Sequence, residues 1–379
     1  MFERATGPAW SRTAAVRVLL WFCLTRALAF GATHLGAALM TEEKHSWWDW
    51  HADGDLMPGP PPDKWMAPLV RWDANYYVTI ARRGYPEASP SRPVVYAIAF
   101  FPLFPLALRG LGALGADLFW ASFLLSNAAA MTAALFLAAA GESEQERKTS
   151  LRAAMLFLAS PGANFLLYPY PEALFAACLA AGAWFIFKDR ALPAALAAAA
   201  ATATRSAGIV LPLVFLFLAV RKRGDWKAAG RWLGAAIFGC SGLAAFAYFC
   251  WRTYGDALAF AHIQDHYGRS LGVLNPLRAL FRFNVDPDYY VVTLAALAVA
   301  GFMLARKVDW RSLAGAFLLL LPMATGTLKA MIRYQGVNLP LLSGAAGMLK
   351  GRRFAVAMAA CLCLMCLEAY LFGRGSAHY

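Results

Sequence analysis

The sequence predicts an all-α protein that crosses the membrane many times. Of its 379 residues, 60% are hydrophobic and only 15% are charged, whereas soluble domains carry roughly 25% charged residues. The mean hydropathy is +0.50. Because one spanning helix needs about 20 apolar residues, the chain has room for roughly 10 to 12 membrane segments. We therefore exclude a soluble enzyme and expect a single membrane domain over residues 1–379.

Apolar runs separated by polar stretches supply the predicted segments. The three long polar interruptions are residues 41–93, 141–150 and 254–288. The first and last are rich in Trp, Tyr, Asp, Pro and His, which suits loops at the membrane surface. We expect both to be outer loops, the first with amphipathic helices. The apolar runs are 14–40, 94–114, 117–140, 151–167, 171–187, 191–204, 207–220, 230–253, 289–305, 312–328, 335–349 and 354–372.

The basic residues predict the orientation. The net charge is +13, and most of the cations lie in short clusters between apolar runs. This is the positive-inside pattern of membrane proteins rather than a nucleic-acid surface. We place these clusters in the cytoplasm: Arg4/Arg12/Arg17, Lys188/Arg190, Arg221/Lys222/Arg223/Lys227/Arg231, Arg306/Lys307/Arg311 and Lys350/Arg352/Arg353.

This orientation leaves one apolar segment too many between residues 94 and 140. The run 97–114 begins with Phe100-Phe101-Pro102-Leu103-Phe104-Pro105, and prolines interrupt helices. We expect this run to be re-entrant or interfacial, since broken helices at membrane depth need protein or water around them. The short runs 191–204 and 207–220 fit a hairpin that does not cross completely.

The sequence offers weak signals for a metal site. All seven cysteines lie in apolar runs, and the spacing Cys361-x-Cys363-x-x-Cys366 has only Glu368 near it, so we interpret them as packing residues. Asp53-Gly54-Asp55 is equally compatible with a solvated turn. We expect no cofactor and no metal site, with divalent-metal dependence as the alternative.

When the chain is followed through the predicted segments with the basic clusters in the cytoplasm, four ionisable residues fall on the outer side: Asp73, Glu172, Arg205 and Arg333. Charged residues near membrane segments are expensive and mark functional sites. We therefore predict an outward-facing site. For any one of them, an interfacial anchor or a satisfied ion pair remains the alternative.

The stretch Arg71 to Tyr85 is the most informative. On a helix, Asp73, Tyr76 and Tyr77 share one face, which makes an amphipathic interfacial helix with a carboxylate at its buried stripe. A partly desolvated carboxylate is more basic, as a general base requires. The alternative is an aromatic-belt helix in which Asp73 caps the helix or pairs with Arg71.

Residues 71–86, RWDANYYVTIARRGYP, resemble the first luminal motif of the PIG-V family, the GPI mannosyltransferase II proteins and their bacterial relatives. Further matching stretches follow in order, and together they span about residues 70 to 340. They are Ala99–Leu106, Ser160-Pro161 through Tyr170-Pro171-Glu172-Ala173-Leu174-Phe175, Ala201–Ser206, a segment with Gly255, Asp256, Phe260, Gln264, Tyr267, Gly268 and Arg269, and Arg333-Tyr334 with Pro340.

The resemblance implies a GT-C-like fold and transfer of a sugar, usually mannose, from a polyprenyl-phosphate donor on the extracytoplasmic side. The motif aspartate falls on Asp73, which becomes the expected catalytic base of an inverting transfer. Arg205 and Arg333 are the candidate partners of the donor phosphate, because a guanidinium matches phosphate oxygens. Glu172 is expected to position a sugar hydroxyl.

The matched motifs supply the other candidate substrate-binding residues, and the partners follow from the class. We expect a lipid-linked sugar donor, a lipid, glycan or protein acceptor, a membrane environment and no nucleic acid. The additional candidates are Arg71, Trp72, Asn75, Tyr76, Tyr170, Asp256, Gln264 and Tyr334.

Two other functions fit the composition. A transporter of a lipid-linked or anionic substrate also has intramembrane charges and broken helices, but no inverted repeat is visible here. A non-catalytic scaffold of a membrane assembly would leave Asp73 and Arg333 replaceable. The Ala- and Arg-rich composition is typical of a bacterial chain, so we expect the inner (plasma) membrane.

Overall fold

The computed structural model describes residues 12–40, 63–87, 95–141 and 143–375. This part of the chain is helical and contains no β-strand, which confirms the all-α class. The α-helices are α1 (Arg12–Ala38), α2 (Asp73–Arg83), α3 (Leu103–Ala113), α4 (Leu118–Ala138), α5 (Glu144–Ala159), α6 (Glu172–Phe187), α7 (Ala191–Thr204), α8 (Val210–Arg221), α9 (Trp226–Gly239), α10 (Ser241–Tyr254), α11 (Ala259–His262), α12 (Asn275–Phe281), α13 (Pro287–Arg306), α14 (Trp310–Met323), α15 (Met331–Gly336), α16 (Leu339–Met348) and α17 (Gly351–Gly373).

Many of these helices are apolar enough for a membrane, as expected for a polytopic protein. Five helical stretches are long enough to cross it: Thr13–Ala38, Leu118–Ala138, Trp226–Tyr254, Pro287–Arg306 and Gly351–Gly373. Shorter apolar helices accompany them: Leu103–Ala113, Glu172–Phe187, Ala191–Thr204, Ser206–Arg221, Trp310–Met323 and Leu339–Met348. The chain is therefore an integral membrane protein by length and composition of its helices.

The apolar run near residue 100 is interrupted, as its prolines predict. A 3-10 turn covers Tyr96–Ala99, and α3 begins only after Pro102. With 11 residues, α3 rises about 16 Å, whereas the hydrocarbon core is about 30 Å thick. Helix α3 alone is therefore too short to cross the membrane.

Helix α5 starts earlier than its apolar run. The side chain of Ser143 accepts from the backbone N–H of Glu146, and the Glu146 carboxylate accepts from the N–H of Ser143, which forms a capping box. This cap nucleates a helix inside the charged stretch 144–150, where the sequence indicated only a polar interruption.

Helix α2 is more enclosed than a helix that lies on the membrane surface. Every residue from Ala74 to Ala81 is buried, and only its last two arginines are exposed. The guanidinium of Arg109 on α3 donates to the carbonyl of Ala81 at 2.9 Å, and Tyr76 stacks on Phe100 with ring centroids 4.4 Å apart. Protein contacts therefore fix the helix that carries Asp73.

Helices α1 and α17 contact the turn that precedes α6. Buried Arg26 of α1 donates to the carbonyls of Ala163 at 2.7 Å and Leu158 at 3.0 Å. Tyr168 stacks on Phe372 of α17 with centroids 4.0 Å apart. These contacts give a rigid support to the segment that leads into Glu172.

Candidate active site

Four charged residues meet at one end of the helices. Asp73 and Glu172 are the first residues of α2 and α6, Arg205 follows α7, and Arg333 lies in α15. Nη1 of Arg333 donates to Oδ2 of Asp73 at 2.5 Å, and its Nε donates to Oε1 of Glu172. Nη1 of Arg205 donates to the same Glu172 oxygen. We call these four residues the ion-pair network.

The network runs from a buried centre to an open edge. The exposed fraction of the side chain is 0% for Glu172, 8% for Arg333, 17% for Arg205 and 35% for Asp73. Oε2 of Glu172 is buried and has no hydrogen-bond partner among the described residues. Burial of paired charges adds little stability but gives strong geometric constraint, so the arrangement indicates a functional site.

Aromatic rings enclose both guanidinium groups. That of Arg333 lies 4.7 Å from the ring centroid of Tyr170 and 5.6 Å from that of Phe165. The guanidinium of Arg205 lies 4.8 Å from the centroid of Tyr334. Cations over aromatic faces are stabilised by about 0.5–2 kcal/mol, more as water is excluded. The rings therefore fix the cations in place without neutralising them.

Local backbone geometry helps to position the charged side chains of the network. Because Asp73 and Glu172 open their helices, their negative charges lie at the positive ends of two helix dipoles. Trp72 (φ 54°) directly precedes α2, and Ala330 (φ 65°) directly precedes α15. A positive φ in a residue other than glycine costs about 1–2 kcal/mol, and such strain concentrates at functional sites.

The position of Arg333 depends on a close approach between two backbone segments, at Gly162 and at Ile332. A Cβ atom at Gly162 would collide with the backbone carbonyl of Ile332 and would lie 3.2 Å from Cα of Arg333. Only glycine therefore allows the 3-10 turn Pro161–Leu166 to pack this tightly on α15. This explains the glycine in the matched stretch that begins at Ser160.

Tyr334 extends the network toward the polar segment 254–288. Nη1 of Arg269 donates to the Tyr334 hydroxyl at 3.4 Å. Burial alone would raise the pKa of Tyr334, but the nearby guanidinium groups of Arg269, Arg205 and Arg333 outweigh it and lower that pKa. The outer edge of the site is therefore a strongly cationic environment.

Two neighbours of the network were not predicted as site residues. Arg269 belongs to the matched 255–269 segment but lies in a stretch without helical periodicity. Tyr77 shares the helix face of Asp73. Burial, followed by the charge of Glu172, raises the pKa of Tyr77 far above its ordinary range, so that its hydroxyl stays protonated.

Four of the other predicted binding residues lie around or behind the network. Arg71 is buried and donates to the carbonyl of Phe372 at 3.2 Å, and its own carbonyl accepts from the Tyr170 hydroxyl at 3.0 Å. Trp72 is partly buried, and Asn75 is fully buried, its amide having no hydrogen-bond partner in the described part of the chain. The hydrogen bonds of Arg71 thus connect the segment before α2 to α17 and to Tyr170.

Two predicted residues in the polar segment 254–288 occupy different positions. The carboxylate of Asp256 is exposed and lies 2.6 Å from Nδ1 of His262, without a contact to the network. The backbone carbonyl of Gln264 accepts from the N–H of Arg269 at 3.0 Å. Gln264 thus supports Arg269, whereas the structure does not bring Asp256 to the site.

Metal binding stays a prediction in either direction. In the described ranges, no three residues among His, Cys, Asp and Glu come close enough to hold an ion. Asp53 and Asp55, which have a possible metal spacing, lie outside these ranges, as does Arg4.

The fold and the site define a polytopic membrane protein with an enclosed network of carboxylates and arginines. Residues 61–222 match the family model described as mannosyltransferase (PIG-V). This match confirms the predicted resemblance to the PIG-V family over this region, and it supports a membrane mannosyltransferase. Asp73, Glu172 and Arg205 lie inside the matched region, and Arg333 lies beyond it. No curated protein matches the chain.

Proposed function

We propose that the protein transfers a mannosyl group from a polyprenyl-phosphate donor to an acceptor hydroxyl, on the extracytoplasmic side of a bacterial inner membrane. The family match supports a mannosyltransferase in a membrane. The observation that carries the finer proposal is the contact of an accessible carboxylate, Asp73, with Arg333, whose guanidinium suits a phosphate.

In this proposal Asp73 is the general base of an inverting transfer. The acceptor oxygen attacks C1 of the mannosyl group, the bond from C1 to the donor phosphate oxygen breaks, and the acceptor proton passes to Asp73. Asp73 is the most exposed member of the network, and its Oδ1 has no hydrogen-bond partner among the described residues. A positioned base of this kind contributes about 10²–10⁴-fold in rate.

Arg205 is the better placed partner for the donor phosphate. The leaving polyprenyl phosphate gains one negative charge, and guanidinium groups stabilise such developing charge through charge-assisted hydrogen bonds. Arg205 binds one carboxylate and is more exposed than Arg333, which binds two. Arg269 adds a third cation at this edge. Arg333 then serves both the phosphate and the orientation of Asp73.

Glu172 is proposed to hold the sugar. Its Oε1 accepts from both arginines, which fixes them side by side. Its Oε2 is buried without a partner in the described chain, and an unsatisfied buried acceptor costs about 1–3 kcal/mol or more. A hydroxyl of the mannosyl group would satisfy this oxygen.

The charge distribution supports the extracytoplasmic orientation. Glu172 opens α6, and Lys188 of a basic cluster directly follows its other end. The 16 residues of α6 separate the network from this cluster by about 24 Å. Because basic clusters mark the cytoplasmic side, the network belongs on the opposite side.

The decisive experiment uses purified protein in proteoliposomes supplied with polyprenyl-phosphate mannose labelled in the sugar. We expect release or transfer of the label by wild-type protein and loss of this activity in Asp73→Asn. Translocation of intact donor without cleavage would instead support the transporter. The anomeric configuration of the product tests whether the transfer inverts. Lipid, glycan and protein acceptors are compared in parallel. Activity in the presence of a chelator tests metal dependence.

A further inference from the structure

A cavity lies away from the network, toward the other end of α6. Its volume is about 930 Å³, and residues of α4, α5, α6, α8, α13, α14 and α16 line it. Along α6, its lining residues start at Leu179 and end at Phe187. Leu179 is seven residues from Glu172, or about 10 Å along the helix axis. The cavity is therefore distinct from the candidate active site.

The inner walls of this cavity are apolar and have the depth of one membrane leaflet. Leu179, Val214 and Leu318 are buried lining residues, while Phe187 and Trp310 lie against the guanidinium of the exposed lining residue Arg311. The distance from Phe187 to Leu179 along α6 is about 12 Å, and half of the hydrocarbon core is about 15 Å. Pockets of roughly 300–1,000 Å³ are typical of small-molecule sites, so the interior has room for a lipid chain.

The rim of the cavity is cationic. Four exposed basic residues line it, and none forms an ion pair with a described residue. The two rim carboxylates have other hydrogen-bond partners. Asp309 accepts from backbone N–H groups at the start of α14, and Glu146 closes the capping box of α5. The four basic residues are Arg306, Lys307, Arg311 and Lys350.

We propose that this cavity binds an anionic phospholipid, with the headgroup phosphate at the cationic rim and an acyl chain in the apolar interior. The rim belongs to the basic clusters that mark the cytoplasmic side, and the cytoplasmic leaflet carries anionic lipids. The donor chain is a poorer occupant, because its phosphate is proposed to bind at the network, about 10 Å from Leu179 along α6.

Native mass spectrometry of the full chain, stripped of lipid and then supplied with phosphatidylglycerol, tests the proposal. The test variant combines Arg306→Gln, Lys307→Gln and Lys350→Gln. The matched control combines Arg221→Gln, Arg352→Gln and Arg353→Gln, which are exposed, lie in predicted cytoplasmic clusters and do not line the cavity. We expect on the order of 100-fold weaker phosphatidylglycerol binding in the test variant and nearly unchanged binding in the control.

A second variant, Ala183→Phe, fills the interior and leaves the rim charges intact. We expect it to remain monodisperse in size-exclusion chromatography and to lose the bound lipid. Equal retention of phosphatidylcholine and phosphatidylglycerol by wild-type protein would overturn the proposal, because the lipid would then be annular. Displacement of phosphatidylglycerol by polyprenyl phosphate in equimolar amount would also overturn it and assign the cavity to the donor chain.

Discussion

Arg333 donates a hydrogen bond to the carboxylate of Asp73 at 2.5 Å, although 260 residues separate the two in the sequence. The same guanidinium binds Glu172, so a single side chain fixes the proposed base and the buried carboxylate relative to each other. Activity should therefore depend on the geometry of Arg333 and not only on its charge.

Asp73→Asn should abolish most of the transferase activity and leave the fold intact. The amide keeps the size of the side chain but cannot take a proton, so we expect a 10²–10⁴-fold loss in kcat, or roughly 3 to 5 kcal/mol of barrier. The measurement is mannosyl transfer per folded molecule, with donor binding followed separately.

The matched control is Asp256→Asn, which removes an exposed carboxylate in the polar segment 254–288 that does not contact the network. It should keep nearly full kcat. An anchoring role for Asp73 predicts the opposite pattern, with lower stability and intact turnover. A well-folded Asp73→Asn protein with activity within threefold of wild type would refute the assignment.

Lysine substitutions should separate the roles of the two arginines. In Arg333→Lys the charge remains, but one ammonium lacks the planar fork that reaches both carboxylates. We expect about 100-fold lower kcat, as for a small misplacement of a catalytic group. Arg205→Lys should instead raise the donor KM by roughly tenfold or more, because a charge-assisted hydrogen bond is lost. Wild-type constants in both variants would exclude these arginines from the site.

The helices were predictable because apolar runs and their breaks are local properties of the sequence. The interruption around Pro102 and the apolar helix α6 follow from such patterns. The early start of α5 was missed because the cap made by Ser143 and Glu146 lies in a charged stretch with no apolar periodicity.

The ion-pair network was predicted only as a set of residues on one side of the membrane. Its pairings arise from the packing of α2, α6, α7 and α15, and no spacing in the sequence specifies that Arg333 bridges Asp73 and Glu172. Tyr77 could have been included from the sequence, because it shares a helix face with Asp73. The burial of α2, in contrast, follows from contacts with α3 that its own sequence does not show.

Gly162→Ala should lower both stability and activity. The added methyl group would collide with the carbonyl of Ile332 and displace α15, which carries Arg333. We expect a loss of about 1–3 kcal/mol in stability together with reduced kcat, measured by thermal unfolding in detergent and by mannosyl transfer. In the control Gly31→Ala, the methyl group meets open space within α1, so stability should be unchanged or rise slightly. Equal behaviour of the two variants would contradict the proposed packing constraint.

Cysteine accessibility should report the orientation. In a background without native cysteines, Ser270→Cys should react with an impermeant thiol reagent added outside, because this loop adjoins Arg269 at the site. Gly224→Cys lies beside the basic cluster that follows α8 and should react only after permeabilisation. Position 52, also predicted to be outside, lies beyond the described residues. Labelling of Gly224→Cys from outside would show that the proposed orientation is the reverse of the true one.

Tyr334 should ionise at a lower pH than an ordinary tyrosine. Burial opposes ionisation, but the cations of Arg269, Arg205 and Arg333 favour the phenolate, so the folded-state pKa is lowered. A group with a depressed pKa contributes stability above its unfolded-state pKa of about 10. This contribution is lost as the pH falls through the folded-state value.

The measurement is the phenolate absorbance of wild type minus that of Tyr334→Phe during an alkaline titration. We expect the difference to appear at a lower pH than the bulk of the tyrosine signal. Arg269→Gln should move it upward, because the cation that donates to the Tyr334 hydroxyl is gone. Arg282→Gln should not move it, since Arg282 donates to the carbonyl of Gly326 instead. A difference signal centred at or above the ordinary tyrosine range would show that the cations of the network do not reach Tyr334, and would remove Arg269 from the proposed phosphate site.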